Sequence, residues 1–185
     1  GPTSDGKYFE YRTREWMSAE RGTYHRSYYQ FDRFNGDNRG GPLCPDCVLE
    51  IITLDEMRLI RAESAMYQGN NSLAADLINV TRTANGEIPP VTASGVPQAA
   101  DCVPKAPTTG QCGDLELALY YERQIELFGM DCIRGWADRR GFGMLTPGTI
   151  LDVPVPGREL STLGLPIYTF GGVGGSNAST GWVLW

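Results

Sequence analysis

The sequence predicts a mainly α protein: tetratricopeptide-like helical hairpins with long irregular loops and an extended C-terminal segment. Three observations carry that expectation. Residues 53–85 read as two short helices separated by a polar turn, the pattern of one hairpin repeat. Residues 114–140 carry a second stretch with helical spacing and a glycine break. Twenty-three glycines and twelve prolines are many for a helical chain, so irregular segments must connect the helices. A hydrophobic content of 41% across 185 residues is enough for a real core rather than a disordered chain.

Residues 1–50 are rich in tyrosine, arginine and glycine, and YHRSYYQFDRF alternates well enough to be extended. Aromatic side chains among arginines can form a stacking platform for sugars, which makes Trp16, Tyr24, Tyr28 and Tyr29 the candidate ligand contacts. Packing of this segment against the body of the protein is the plainer reading for most of its aromatics, since tyrosine serves either purpose. The start, GPTSDGKYFEY, reads as mid-domain sequence, so the chain is expected to be the C-terminal part of a longer protein.

At Thr53 a helix begins with a T-x-x-E capping box completed by Glu56. Leu54, Met57, Ile60, Arg61, Ser64 and Ala65 follow at helical spacing, and Gly69 supplies a left-handed stop. After Asn70-Asn71-Ser72 a second helix runs through LAADLINVTRTA, with Leu73, Leu77, Ile78 and Val80 expected on its inner side. Asn85-Gly86 ends it. Ala62, Ala65, Ala74 and Ala75 would let the two helices approach closely. A single such repeat cannot stand alone, because its open faces need neighbours.

Residues 86–113 form a long Pro/Ala/Thr/Gly loop, of the kind that is functional or mobile in compact domains. Cys102 and Cys112 bracket VPKAPTTGQ and should form a local disulfide, which suggests an oxidising compartment. Cys44-Pro45-Asp46-Cys47 has three readings: a structural disulfide, which is favoured, a redox dithiol, or half a zinc site. A redox motif normally opens a helix after a strand. A zinc site needs a second ligand pair, and His25 is the one histidine. Cys132 is left over. No cofactor or metal is expected.

Asp114 is the expected N-cap of the next helix. Ala118, Tyr121, Ile125 and Phe128 recur at helical spacing along it, so that face should bury. Gly129 ends this helix. Asp131 begins a shorter one carrying Ile133 and Trp136, which closes near Gly141. Residues 141–185 show no helical pattern and should run extended, ending in Trp182 and Trp185, which are expected to dock. The chain is thus read as one domain: an aromatic extended segment 1–50, a helix pair 51–85, a loop 86–113, a helix pair 114–140 and an extended tail 141–185.

No stretch of about 18 apolar residues occurs, so no bilayer-spanning helix is expected. A net charge of -6 argues against nucleic acid as a partner, because phosphate neutralisation needs a basic face. No nucleophile–base pair and no carboxylate spacing points to catalysis, and the chain is read as a non-enzyme.

Three pieces together resemble the SusD/RagB family of outer-membrane nutrient-binding lipoproteins. They are DEMRLIRAESAMYQGN followed by AADLINVTR, then YYERQIELFGMDCIRGWADRRG, then DVPVPGREL. Their order matches the C-terminal portion of that family over roughly residues 50–170. The resemblance implies an extracytoplasmic protein at the outer membrane, facing the cell surface or the periplasm. There it would lid a TonB-dependent transporter and bind oligosaccharide, peptide or another nutrient without catalysis. The alternative is a structural or accessory subunit docked onto another membrane-associated complex. Glycan contacts in the family follow no motif, so none transfers. The motif residues Arg61, Glu63, Glu126, Asp138, Arg139 and Arg140 match positions of structural character. They are expected to form an ionic latch of buried arginine–carboxylate pairs between helices.

Overall fold

The computed structural model describes residues 6–11, 28–31, 33, 51–130, 132–146 and 155–165. The chain divides into two compact units, Gly1–Glu126 and Leu127–Trp185. The described residues are mainly helical, as expected from the spacing. Trp16, Tyr24, Cys44, Cys47, Trp182 and Trp185 lie outside them.

The first unit is built on three helices: α1 (Leu54–Tyr67), α2 (Asn71–Ala84) and α3 (Leu115–Glu126). Thr53 caps α1 by accepting the Glu56 backbone N–H at 3.0 Å, as the capping box predicts. Gly69 at φ 76° stops it. The Gly69 N–H donates to Met66 O and the Asn70 N–H to Ala65 O, the paired bonds of a Schellman turn. Asn70 then turns its side chain to the next helix, accepting the Leu73 N–H at 3.3 Å. A few residues therefore close one helix and open its partner, which fixes the hairpin. Asp114 caps α3 in the same manner through Leu117 N–H at 2.8 Å.

The helices meet along small and branched side chains. Ala62 and Ala65 of α1, Ala74, Ala75 and Ile78 of α2, and Ala118 and Leu119 of α3 are buried, with Leu59 alongside. The four alanines named from the sequence all lie in this core, where they allow close backbone approach.

The helical spacing read along α1 runs over both of its faces. Its buried stripe is Glu56, Leu59, Ala62 and Ala65, whereas Leu54, Met57 and Ile60 are 65%, 53% and 43% exposed. Apolar residues lie at helical spacing on both faces of α1, and Leu59 with the two alanines marks the packed side. Arg61 is also exposed. On α2, Ile78 is buried, Leu73 and Leu77 are half-buried and Val80 is exposed. On α3, Ala118 is buried and Tyr121 and Ile125 are half-buried, while Phe128 lies beyond the helix and is exposed.

The loop 86–113 is ordered by α2 and by its own disulfide. Asn79 reads the Val91 backbone with both ends of its amide, donating to Val91 O at 2.9 Å and accepting from Val91 N–H at 2.8 Å. Cys102 and Cys112 are bonded as expected, and Lys105 bridges to Cys112 in antiparallel fashion. Gly95 at φ 108° packs so closely that a Cβ would fall 2.6 Å from the Asp114 Cα, so no other residue fits there. The cysteines are ten residues apart. Closing a loop of that length removes about 2–3 kcal/mol of unfolded-state entropy. Replacing both with serine should lower the stability of this unit by that amount in a urea melt, with the helix pair still formed.

Two short strands join this unit from the N-terminal segment. They are β1 (Phe9–Tyr11) and β2 (Tyr29–Phe31), antiparallel with Phe9 opposite Phe31 and Tyr11 opposite Tyr29. Aromatic pairs hold the ribbon, with the Phe9 and Phe31 rings 5.2 Å apart and the Tyr11 and Tyr29 rings 5.0 Å apart. The Lys7 N–H donates to Asn85 O at 2.8 Å and fastens the ribbon to the end of α2.

The second unit contains α4 (Cys132–Gly141) and α5 (Gly157–Thr162). Helix α4 occupies the predicted span. Helix α5 corrects the expectation of a wholly extended segment after residue 141. Pro156 starts it, the position where a missing N–H costs nothing, and the Leu163 and Leu165 N–H groups close it on Glu159 O and Leu160 O. Six residues are too few for an amphipathic period to register, so the proline and glycine signals dominated the reading.

Candidate functional site

The buried polar side chains of the first unit concentrate where α2, α3 and the loop meet. Arg82 lies in the last turn of α2 and is 1% exposed. Its Nη1 donates to Glu122 Oε1 at 3.2 Å. Its Nε donates to Pro89 O at 2.6 Å and its Nη2 to Val103 O at 2.5 Å. One guanidinium therefore ties α2 to α3 and to both limbs of the loop. The Thr81 hydroxyl donates to Glu122 Oε2 at 3.2 Å.

One turn on, Glu126 is equally buried and forms a second node. It accepts from Tyr8 Oη at 3.0 Å and from Asn85 Nδ2 at 2.9 Å. Arg33 donates to its backbone carbonyl, approaches its carboxylate at 3.9 Å, and stacks 4.6 Å over the Tyr8 ring. Closer to the surface, Arg123 reaches from α3 to Glu63 of α1 at 3.4 Å.

Burial governs the electrostatics. It pushes the Glu122 carboxyl up to about 7, against the opposing pull of Arg82 and of the Thr81 and Arg82 hydrogen bonds. Burial raises Glu126 as well, opposed by Asn85, Tyr8 and Arg33. The Tyr8 phenol stands well above its usual range, through burial first and the Glu126 charge second. Arg82 is lowered by burial, opposed by Glu122.

A raised carboxyl favours the folded state when protonated. Its contribution is complete below the unfolded carboxylate value and is lost as pH rises through about 7. This unit should therefore be more stable at pH 5 than at pH 8, by an amount on the order of 2 kcal/mol. Urea unfolding across that range measures it, and Glu122→Gln should flatten most of the slope.

Beside these nodes a cavity of about 250 Å³ opens between the ribbon and the ends of α2 and α3. Tyr8, Phe9, Tyr29, Tyr121, Ile88, Val103 and Ile125 give it aromatic and aliphatic walls, and Lys7, Asn85 and Glu122 add polar groups. Of the sequence candidates for ligand contact, Tyr29 is on this wall. Tyr28 is exposed and packs against Tyr11 with rings 5.9 Å apart.

The expected latch residues fall in both units. Glu63 meets Arg123 across α1 and α3, whereas Glu126 meets Tyr8, Asn85 and Arg33 from the N-terminal segment and the end of α2. Exposed Arg61 makes no ion pair among the described residues. Asp138, Arg139 and Arg140 lie on α4 of the second unit, where Asp138 is buried and Arg140 stands 5.8 Å over the Trp136 ring. Sequence reasoning missed Arg82 and Glu122. Their signal was a pair of opposite charges continuing the small-residue stripes, Ala74, Ala75 and Ile78 on α2 and Ala118 and Leu119 on α3.

Among the described residues no cluster of His, Cys, Asp and Glu could hold a metal ion, and no helix is long and apolar enough to cross a membrane. Glu122 and Glu126 are each engaged by partners from neighbouring elements, the geometry of a scaffold joint. Comparison with protein-family models, with curated proteins and with solved structures finds no match.

Proposed function

We propose that this chain is a non-catalytic, SusD-like surface protein that binds oligosaccharide or another nutrient for a TonB-dependent transporter. One observation supports this reading above others. The charged residues inside the stretches that resemble the family come together in space. Glu63 pairs with Arg123, Arg82 pairs with Glu122, and Glu126 lies one turn further along α3. Residues recognised as a pattern in sequence therefore share a physical task, joining the hairpin to the next helix. On this reading the carboxylates hold the scaffold and do no chemistry.

Isothermal titration of the folded chain against a panel of neutral and acidic oligosaccharides and short peptides tests the proposal. Saturable binding without turnover of the ligand is expected. A folded sample that retains none of them, or that cleaves one, overturns it.

A second reading, an accessory subunit of a membrane-associated complex, is favoured by the outer face of α1. Leu54, Met57 and Ile60 line it at helical spacing and are exposed, the pattern by which a repeat meets a neighbour. Light scattering of the purified chain separates the two readings. A monodisperse, well-folded monomer counts against the subunit reading.

A further inference from the structure

We propose that the cavity beside Asn85 and Tyr121 is a binding site for the end ring of an uncharged saccharide. The proposal rests on the nutrient-binding reading above and assigns it a place and a ligand chemistry.

Size gives the first constraint. At about 250 Å³ the cavity holds on the order of eight waters, taking roughly 30 Å³ for each. That is below the usual range for a drug-sized ligand, about 300–1,000 Å³, and suits one six-membered ring. Tyr29, 42% exposed, marks a wall reaching solvent, along which the remainder of an oligosaccharide could continue.

Charge gives the second. Glu122 is engaged by Arg82 and Thr81. Glu126 is engaged by Tyr8, Asn85 and Arg33. Neither carboxylate is left to hold an ammonium group. The one cation on the wall is Lys7, which is exposed, so a buried anion would find no desolvated counter-charge. An uncharged ligand matches this balance.

Hydrogen bonding gives the third. The half-buried Tyr121 hydroxyl makes no hydrogen bond among the described residues. Asn85 donates through Nδ2 to Glu126, and its Oδ1 accepts nothing among them. Both residues are half-buried and line the cavity. Here one needs a donor and the other can donate or accept, which a pair of ligand hydroxyls satisfies. A purely apolar ligand would satisfy neither. Phe9, Tyr29 and Tyr121 line the cavity with aromatic surface of the kind that suits the C–H side of a sugar, and the tyrosines add a polar hydroxyl.

Ligand-observed NMR and isothermal titration on the full chain test the site. The probes are the methyl glycosides of glucose, galactose and mannose, their oligomers, and glucuronic acid as the charged comparison. The variants are Tyr121→Phe, which keeps the ring and removes the hydroxyl, and Tyr29→Ala at the exposed wall. Thermal melts establish that both remain folded. A neutral sugar should bind the unaltered chain, and each variant should weaken it about tenfold. Unchanged sugar affinity in both folded variants overturns this site while the nutrient-binding reading stands. Tighter binding of glucuronic acid overturns the uncharged assignment. Absence of any saccharide binding to the unaltered chain, with peptides still bound, removes the saccharide assignment. Absence of all ligand binding removes the broader reading and the site together.

Discussion

Arg82→Met should destabilise the first unit by about 3–5 kcal/mol at pH 8, the cost of leaving a buried carboxylate without its partner. The side chain is 1% exposed and its three donating nitrogens reach α3 and both limbs of the loop. Methionine keeps much of the volume, so the loss reports charge and hydrogen bonding rather than a cavity. The effect should shrink at pH 5. Glu122 there takes up a proton, because burial has already raised its carboxyl to about 7, and a neutral acid tolerates the loss of a cation. Chemical denaturation at the two pH values measures this. Equal destabilisation at both would mean that the guanidinium acts through Pro89 O and Val103 O alone.

Ile78→Ala should cost about 3 kcal/mol, within the range for truncating a fully buried isoleucine. Ile78, Leu59 and Leu119 are each 0% exposed, and the surrounding alanines have little side chain with which to fill a void. For a unit of this size that corresponds to a fall of roughly 10 °C in Tm. Met57→Ala, on the opposite face of α1, should change stability by no more than about 0.5 kcal/mol. The contrast tests the packing phase of the hairpin. A large loss at Met57 with little at Ile78 would place the exposed stripe inside.

Local chemistry made much of the fold legible. Thr53, Asn70 and Asp114 each cap a helix by accepting a backbone N–H three residues on. That interaction is confined to one turn and can be read from the chain. The disulfide was legible for the same reason, since a ten-residue separation is local. The phase of α1 was legible only through its alanines, because Leu54, Met57 and Ile60 lie at helical spacing yet face outward while Leu59 faces inward. The ribbon was legible only as extended chain. Pairing Phe9 with Phe31 depends on contacts between distant residues, and three-residue strands carry little alternation.

The cavity was least legible. Tyr29 was among the aromatics expected to meet a ligand, but Tyr8, Phe9, Asn85 and Tyr121 reach the same place from three separate parts of the chain. No local spacing links them. Arg82 and Glu122 sit at core positions of their helices, where charge is rare unless paired. An arginine on one small-residue stripe and a glutamate on the next is therefore a sign of a buried pair, and it could have been found before the structure.

The Arg82–Glu122 pair holds the centre of this fold, and a double-mutant cycle measures its coupling. Arg82→Met, Glu122→Leu and the double variant are unfolded in urea at pH 8. Each single change should be strongly destabilising, and the double should recover at least 1 kcal/mol relative to their sum, within the range expected for residues in contact. Additive losses, with no recovery, would contradict a coupled pair at the centre of this fold.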